Sequence, residues 1–150
     1  MKRGVHWNMT GVPKGYAICG IPVVHDPKNR FIADARGFWP RKRIAVGPSW
    51  FRLPFAVQQA ILLHEAGHCL GFHLEIRLLI GLFCATRWAR CLAHRHEFEA
   101  DRFAVERGAG AGLKILLTMA KIIPEHYFEP PRAERISAIE RLMKGASDAA

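Results

Sequence analysis

His64-Glu65-Ala66-Gly67-His68-Cys69-Leu70-Gly71-Phe72-His73 carries a His-Glu-x-x-His pattern inside a long apolar run of helical character. Residues four apart on a helix lie one above the other, so His64 and His68 can turn both imidazoles toward one cation. Glu65 is displaced around the helix, where it suits a base acting on metal-bound water better than a further ligand. The bland alternative is a pair of satisfied core or surface histidines. The setting argues against it, because Pro54 to Phe72 is apolar on nearly every side and reads as a buried helix. Ionisable side chains on such a helix are costly unless a charge compensates them, and a zinc ion would do so.

Upstream, residues 1–48 are rich in Gly and Pro, with short apolar runs at Tyr16–Cys19, Ile21–Val24 and Ile44–Val46. These read as short strands separated by turns such as His25-Asp26-Pro27-Lys28-Asn29. Gly47-Pro48-Ser49 ends the last strand, and Leu53-Pro54 opens the central helix with proline in its first turn. An exposed edge of such a sheet can accept an extended peptide as an additional strand, and Ile44–Val46 is the expected edge.

Downstream, Gly71 is expected to close the helix. Leu74 to Ala93 reads as a second, buried or partly interfacial helix. Its uncharged run from Leu78 to Thr86 is nine residues, against the ~20 needed to cross a bilayer. A helix over Arg95–Val105 follows, then a break at Gly108–Gly112 and an apolar helix over Leu113–Ile123 stopped by Pro124. A last helix over Arg132–Met143 turns Ile136, Ile139, Leu142 and Met143 inward. The expected fold is α+β and predominantly helical, one domain over 1–150. A small N-terminal β-sheet with loops occupies 1–50, a helical core holding the His-Glu-x-x-His helix 51–145, and a frayed tail 146–150.

The chain has 150 residues, a net charge of +9 and a pI near 10. Its basic residues are scattered apart from Arg41-Lys42-Arg43 and the stretch Arg87–Arg95, so they read as solvated surface. Nucleic acid or an anionic membrane surface stays open as a partner on charge alone. Cys19, Cys69, Cys84 and Cys91 form no Cys-x-x-Cys pair, and Cys69 reads as a packing residue. The basic N-terminus leads into no apolar core, so no secretory signal is expected. Reduced thiols then fit a cytoplasmic protein, with peripheral contact to a membrane as the variant reading.

A catalytic zinc takes three protein ligands and keeps one position open for solvent. His73 stands one residue too early for the third histidine of His-Glu-x-x-His-x-x-Gly-x-x-His, where Leu74 sits instead. Glu97 is the better candidate. It lies one helical turn before Asp101, so both carboxylates share a face. Glu97 could complete the site while Asp101 accepts the spare ring N–H of a ligand histidine. Glu99 faces away from that pair and reads as surface, and a wholly solvated acidic face is the bland alternative.

Three ordered segments now carry a resemblance. His64-Glu65-x-x-His68, Glu97-Phe98-Glu99-Ala100-Asp101-Arg102-Phe103-Ala104 and Pro130-Pro131-Arg132-Ala133-Glu134-Arg135-Ile136 together resemble gluzincin peptidases of the HtpX and CAAX-prenyl-endopeptidase type, over about residues 54–143. The resemblance implies a zinc endopeptidase acting on protein or peptide, expected here as a monomer. His64, His68 and Glu97 would be its metal ligands, Glu65 the base and Asp101 the residue orienting a ligand. Two features depart from the family. Its membrane-spanning helices are missing, which implies a minimal soluble catalytic domain. Its oxyanion histidine before Pro-Pro is Glu129, leaving Arg135 with His126 or Tyr127 as stand-ins. Related alternatives are ImmA/IrrE-like and SprT-like regulatory proteases. A different class is a zinc-stabilised module that binds nucleic acid or membrane without turnover.

Overall fold

A computed structural model describes residues 12–83, 86–119 and 129–148. Near the N-terminus, β1 (Ala17–Ile18), β2 (Ile21–His25), β3 (Ala33–Arg36) and β4 (Arg43–Val46) form one sheet in the order β1-β2-β4-β3. β2 and β4 run parallel with Val23 opposite Ile44, and the other pairs are antiparallel, with Ala35 opposite Ile44 on the far side. Ile44–Val46 is therefore an interior strand, which corrects its assignment as the edge. Its three apolar residues are all buried, as a strand covered on both faces requires.

The edge beside the helices is β3, an Ala-Asp-Ala-Arg segment that alternates but lacks the β-branched and aromatic residues that mark a strand. Pairing to β4 holds it extended. Buried Asn29 anchors the preceding loop by donating to the Ala45 carbonyl at 3.1 Å and accepting the Phe31 N–H at 3.0 Å.

A short 3-10 turn (Pro48–Arg52) leads into α1 (Phe55–Leu70). The buried Gln58 amide donates to the carbonyls of Trp50 and Leu53 at 3.2 and 3.1 Å, fixing where α1 starts. Against α1 pack α2 (His73–Phe83), α3 (Thr86–Val105) and α4 (Gly110–Met119), and α5 (Arg132–Asp148) packs on α3 and α4. Val23, Ile44, Val46, Trp50, Val57 and Ile61 fill the space between sheet and α1. Ala60, Ala104, Leu113, Leu117 and Ile139 pack the helices on its other side. The fold is thus α+β and predominantly helical, with α1 buried between two layers.

Some boundaries differ from the sequence reading. Leu74–Ala93 is divided between α2 and α3, and Thr86–Ala93 continues without interruption into the acidic segment. α5 runs on to Asp148, past the expected fraying point. Gly71 caps α1, yet the left-handed residue is Phe72, with φ 55°. Among the described residues no helix is long and apolar enough to cross a membrane. His126, Tyr127, Cys84 and the stretch 120–124 lie outside the described residues.

Candidate metal centre

His64 and His68 lie one turn apart on α1, and α3 crosses close to them. The approach is possible because of Gly67: a Cβ there would lie 3.0 Å from the Ala100 Cα and 3.3 Å from the Phe103 Cβ. Glu97, three residues before Ala100 on α3, is thereby carried across to the rings. The two Nε2 atoms are 3.0 Å apart. Glu97 Oε2 is 3.4 Å from His64 Nε2, and Oε1 is 3.4 Å from His68 Nε2. A tetrahedral ion with bonds of about 2.0–2.1 Å sets its donor atoms about 3.3–3.4 Å apart, so this triangle needs almost no adjustment to hold one. The three side chains are only 10–11% exposed, and together they form a buried group that could hold a metal ion.

Behind the triangle lies a charged layer. His64 Nδ1 is 2.9 Å from Asp101 Oδ1, a close but bent contact in which the ring N–H does not aim cleanly at the oxygen. Asp101 accepts two bonds from Arg135, Nε to Oδ2 at 2.8 Å and Nη2 to Oδ1 at 2.7 Å, while Arg135 Nη1 lies 3.3 Å from Glu97 Oε2. Arg135, expected to face an oxyanion, therefore has its fork committed to the two buried carboxylates.

Burial alone would lower the His64 pKa, but Asp101 and Glu97 outweigh it and hold the ring at about 10. Burial lowers His68. Burial would raise Glu97, but His64 and His68 more than offset it and hold its carboxyl well below the usual range. Without an ion, the layer is an imidazolium held between carboxylates.

A second set of side chains abuts the first. His73 Nδ1 is 2.9 Å from His68 Nδ1, and His73 Nε2 is 3.1 Å from Glu99 Oε2. The His73 and His96 rings stack with centroids 4.0 Å apart and planes 3° apart. Arg77 donates through Nε to His96 Nδ1 at 3.3 Å and through Nη2 to Glu97 Oε1 at 3.0 Å. Burial, followed by His68, lowers the His73 pKa to about 4.

The sequence reading passed over Arg77 and His96, and it left Glu99 on the surface. Spacing held a trace of the arrangement: His73 and Arg77 are four apart on α2, and Arg95 and Glu99 are four apart on α3.

Both layers open on a cleft of about 470 Å³, lined among others by Ala33, Ala35, Glu65, Leu116, Glu129 and Arg132. Glu65 is left out of the donor triangle and accepts the Ala35 N–H at 2.8 Å. Desolvation pushes its carboxyl up to about 7. The Ile32 carbonyl bonds inward to Gly47, so alternation along an antiparallel strand turns the N–H and C=O of Ala33 and Ala35 outward, toward the cleft. Cys69 packs in the core, where burial raises its thiol to about 11. Compared with protein-family models, curated proteins and solved structures, the chain matches none of them.

Proposed function

We propose that the chain is a zinc-dependent endopeptidase. The observation that carries the reading is the triangle of His64, His68 and Glu97 donor atoms on two helices, with edges of 3.0 to 3.4 Å and a separate carboxylate, Glu65, beside it. Two imidazoles and one carboxylate are a donor set that suits zinc and leaves a position for solvent. Bound there, zinc would supply a water of lowered pKa and a Lewis acid for a carbonyl oxygen.

His64 and His68 would hold the ion through Nε2 and Glu97 through its carboxylate. To do so, His64 would give up the proton it holds against Asp101 and Glu97, and binding would release it to solvent. Asp101 then keeps the remaining N–H on Nδ1, and Arg135 holds Asp101 in place as a positioning residue. Glu65 works as the base: its carboxylate takes a proton from the attacking water and later returns it to the leaving amine. The oxyanion role then falls to His126 or Tyr127, as the resemblance allows.

The substrate in this reading is an extended peptide segment. The outward N–H and C=O of Ala33 and the C=O of Ala35 offer it a strand edge to pair with, directly beside Glu65, whose carboxylate takes the Ala35 N–H. The test is Glu65→Gln, with zinc measured by elemental analysis and hydrolysis followed on an unfolded protein such as casein. Zinc content stays at the wild-type level while turnover drops by at least about 10²-fold. Turnover at the wild-type rate in that variant rejects the mechanism.

A further inference from the structure

His73, His96 and Glu99 bring ligand-type atoms together, and the first idea to consider is a second ion. The ring geometry opposes it. An imidazole lone pair lies in the plane of its ring, and the His73 and His96 planes are nearly parallel with centroids 4.0 Å apart. No ion can lie in both planes, and the Arg77 Nε–H already points at His96 Nδ1. The cluster has another use, which shows when its protons are placed.

Glu99 can only accept, so the 3.1 Å contact puts a proton on His73 Nε2. His73 is buried and stacked on His96, and the 2.9 Å contact between its Nδ1 and His68 Nδ1 needs one of the two atoms to be a bare acceptor. A neutral ring protonated at Nε2 has its lone pair on Nδ1, and that atom faces His68 Nδ1 at 2.9 Å. His68 must therefore carry its proton on Nδ1, which leaves the lone pair on Nε2, the atom directed at His64 and Glu97.

We propose that Glu99 and His73 form a positioning relay that fixes the tautomer and ring angle of His68 and so aims its Nε2 at the metal ion. The inference rests on the metal reading above. It gives each histidine ligand its own support, Asp101 behind His64 and the Glu99–His73 pair behind His68. The backbone is built for it. The left-handed turn at Phe72 brings the chain back over the end of α1. A Cβ on Gly71 would lie 2.3 Å from His73 Nε2, so only glycine leaves space for the returning ring.

The test uses the full chain, with zinc affinity measured by competition against a chelator and the His68 tautomer read from two-bond nitrogen–proton NMR couplings. Supports behind a metal ligand typically change affinity by about 10–100-fold. His73→Phe and Glu99→Ala are expected to fall in that range, whereas Glu99→Gln, whose amide oxygen can accept the same N–H, stays within about threefold of wild type. Glu99 is partly exposed, so its variants keep the fold even where His73→Phe does not. The NMR arm expects the His68 proton on Nδ1 in wild type and in Glu99→Gln, and a mixture of tautomers in Glu99→Ala.

Wild-type affinity in Glu99→Ala overturns the relay, and so does a Gln variant as weak as the Ala one. If wild-type protein binds no zinc, the metal reading fails on its own. The tautomer of the zinc-free chain then decides the hydrogen-bond relay, and a proton on His68 Nε2 overturns it.

Discussion

Asp101 is almost fully buried, yet it touches both a proposed ligand and the guanidinium of Arg135. Its two duties can be separated by mutation. Asp101→Ala leaves buried Arg135 with only its 3.3 Å contact to Glu97, and losing the bidentate partner of such a pair costs about 3–5 kcal/mol, which chemical denaturation would measure. Replacing both residues, Asp101→Leu with Arg135→Met, removes the stranded charge and should recover most of that stability. Zinc affinity should nevertheless stay low in the double variant, because His64 has lost its support. If affinity returned together with stability, Asp101 would be only a packing element. The Glu97–Asp101 pair was legible in the sequence because two carboxylates one turn apart announce a shared face. His73 was not, because its role depends on the backbone turn at Phe72, and β-carbon sterics give no reason to expect a phenylalanine at φ 55°. Glu99 was missed for a similar reason: its partner comes from a different helix.

At the scale of elements, close approach between helices decides whether the site exists. Gly67→Ala would press a methyl against the Cα of Ala100 and the Cβ of Phe103, so α3 must shift outward and take Glu97 with it. A stability cost of about 1–3 kcal/mol is expected, together with weaker zinc binding, seen by denaturation and by chelator competition. Lys42, at the start of the β4 segment, plays the corresponding role for α2. Its buried ammonium donates to the Cys69 carbonyl at the end of α1, pairs with Glu75 at 2.9 Å and lies 3.5 Å from the Phe72 ring centroid. Burial would raise the Glu75 pKa from 4.5, but Lys42 and neighbouring backbone N–H groups more than offset it, so the folded value is depressed. A depressed carboxyl contributes stability above its unfolded pKa that is lost as the pH falls through the folded value. Lys42→Met should thus cost about 2 kcal/mol at neutral pH, and the gap to wild type should narrow in acid. A gap that stays constant down to pH 3 would contradict the assignment. The central helix could be read from its apolar run and its His-Glu-x-x-His spacing. β3 could not, since the alternation of Ala33-Asp34-Ala35-Arg36 is short, holds no β-branched or aromatic residue, and owes its extended form to pairing with β4.

For the whole molecule, the proposed ion joins the C-terminal half of α1 to the middle of α3, the two helices that also share the apolar core around Ala60 and Ala104. Both core clusters are built from apolar side chains and include none of the three donors, and Arg135 and Arg77 balance much of the buried negative charge. The chain treated with a chelator should therefore remain folded, unlike small domains whose fold depends on their metal. Zinc should then act by linkage, since only the folded chain brings the three donors together. At free zinc of about 100 times the dissociation constant, linkage adds about 2.7 kcal/mol. At roughly 2–4 °C per kcal/mol for a chain of this size, the melting temperature should rise by about 5–11 °C. Magnesium, which prefers oxygen donors and octahedral geometry, should give no comparable rise at equal concentration. Glu97→Ala should abolish the rise, because two imidazoles alone are a weak zinc site. Glu65→Gln should retain it, because Glu65 lies outside the donor triangle. Calorimetry of the wild type and both variants, each with and without zinc, separates holding the ion from using it. A melting temperature indifferent to zinc would reduce the His64–Glu97–Asp101 assembly to a buried ion-pair network, and the proposed hydrolytic chemistry would have no centre.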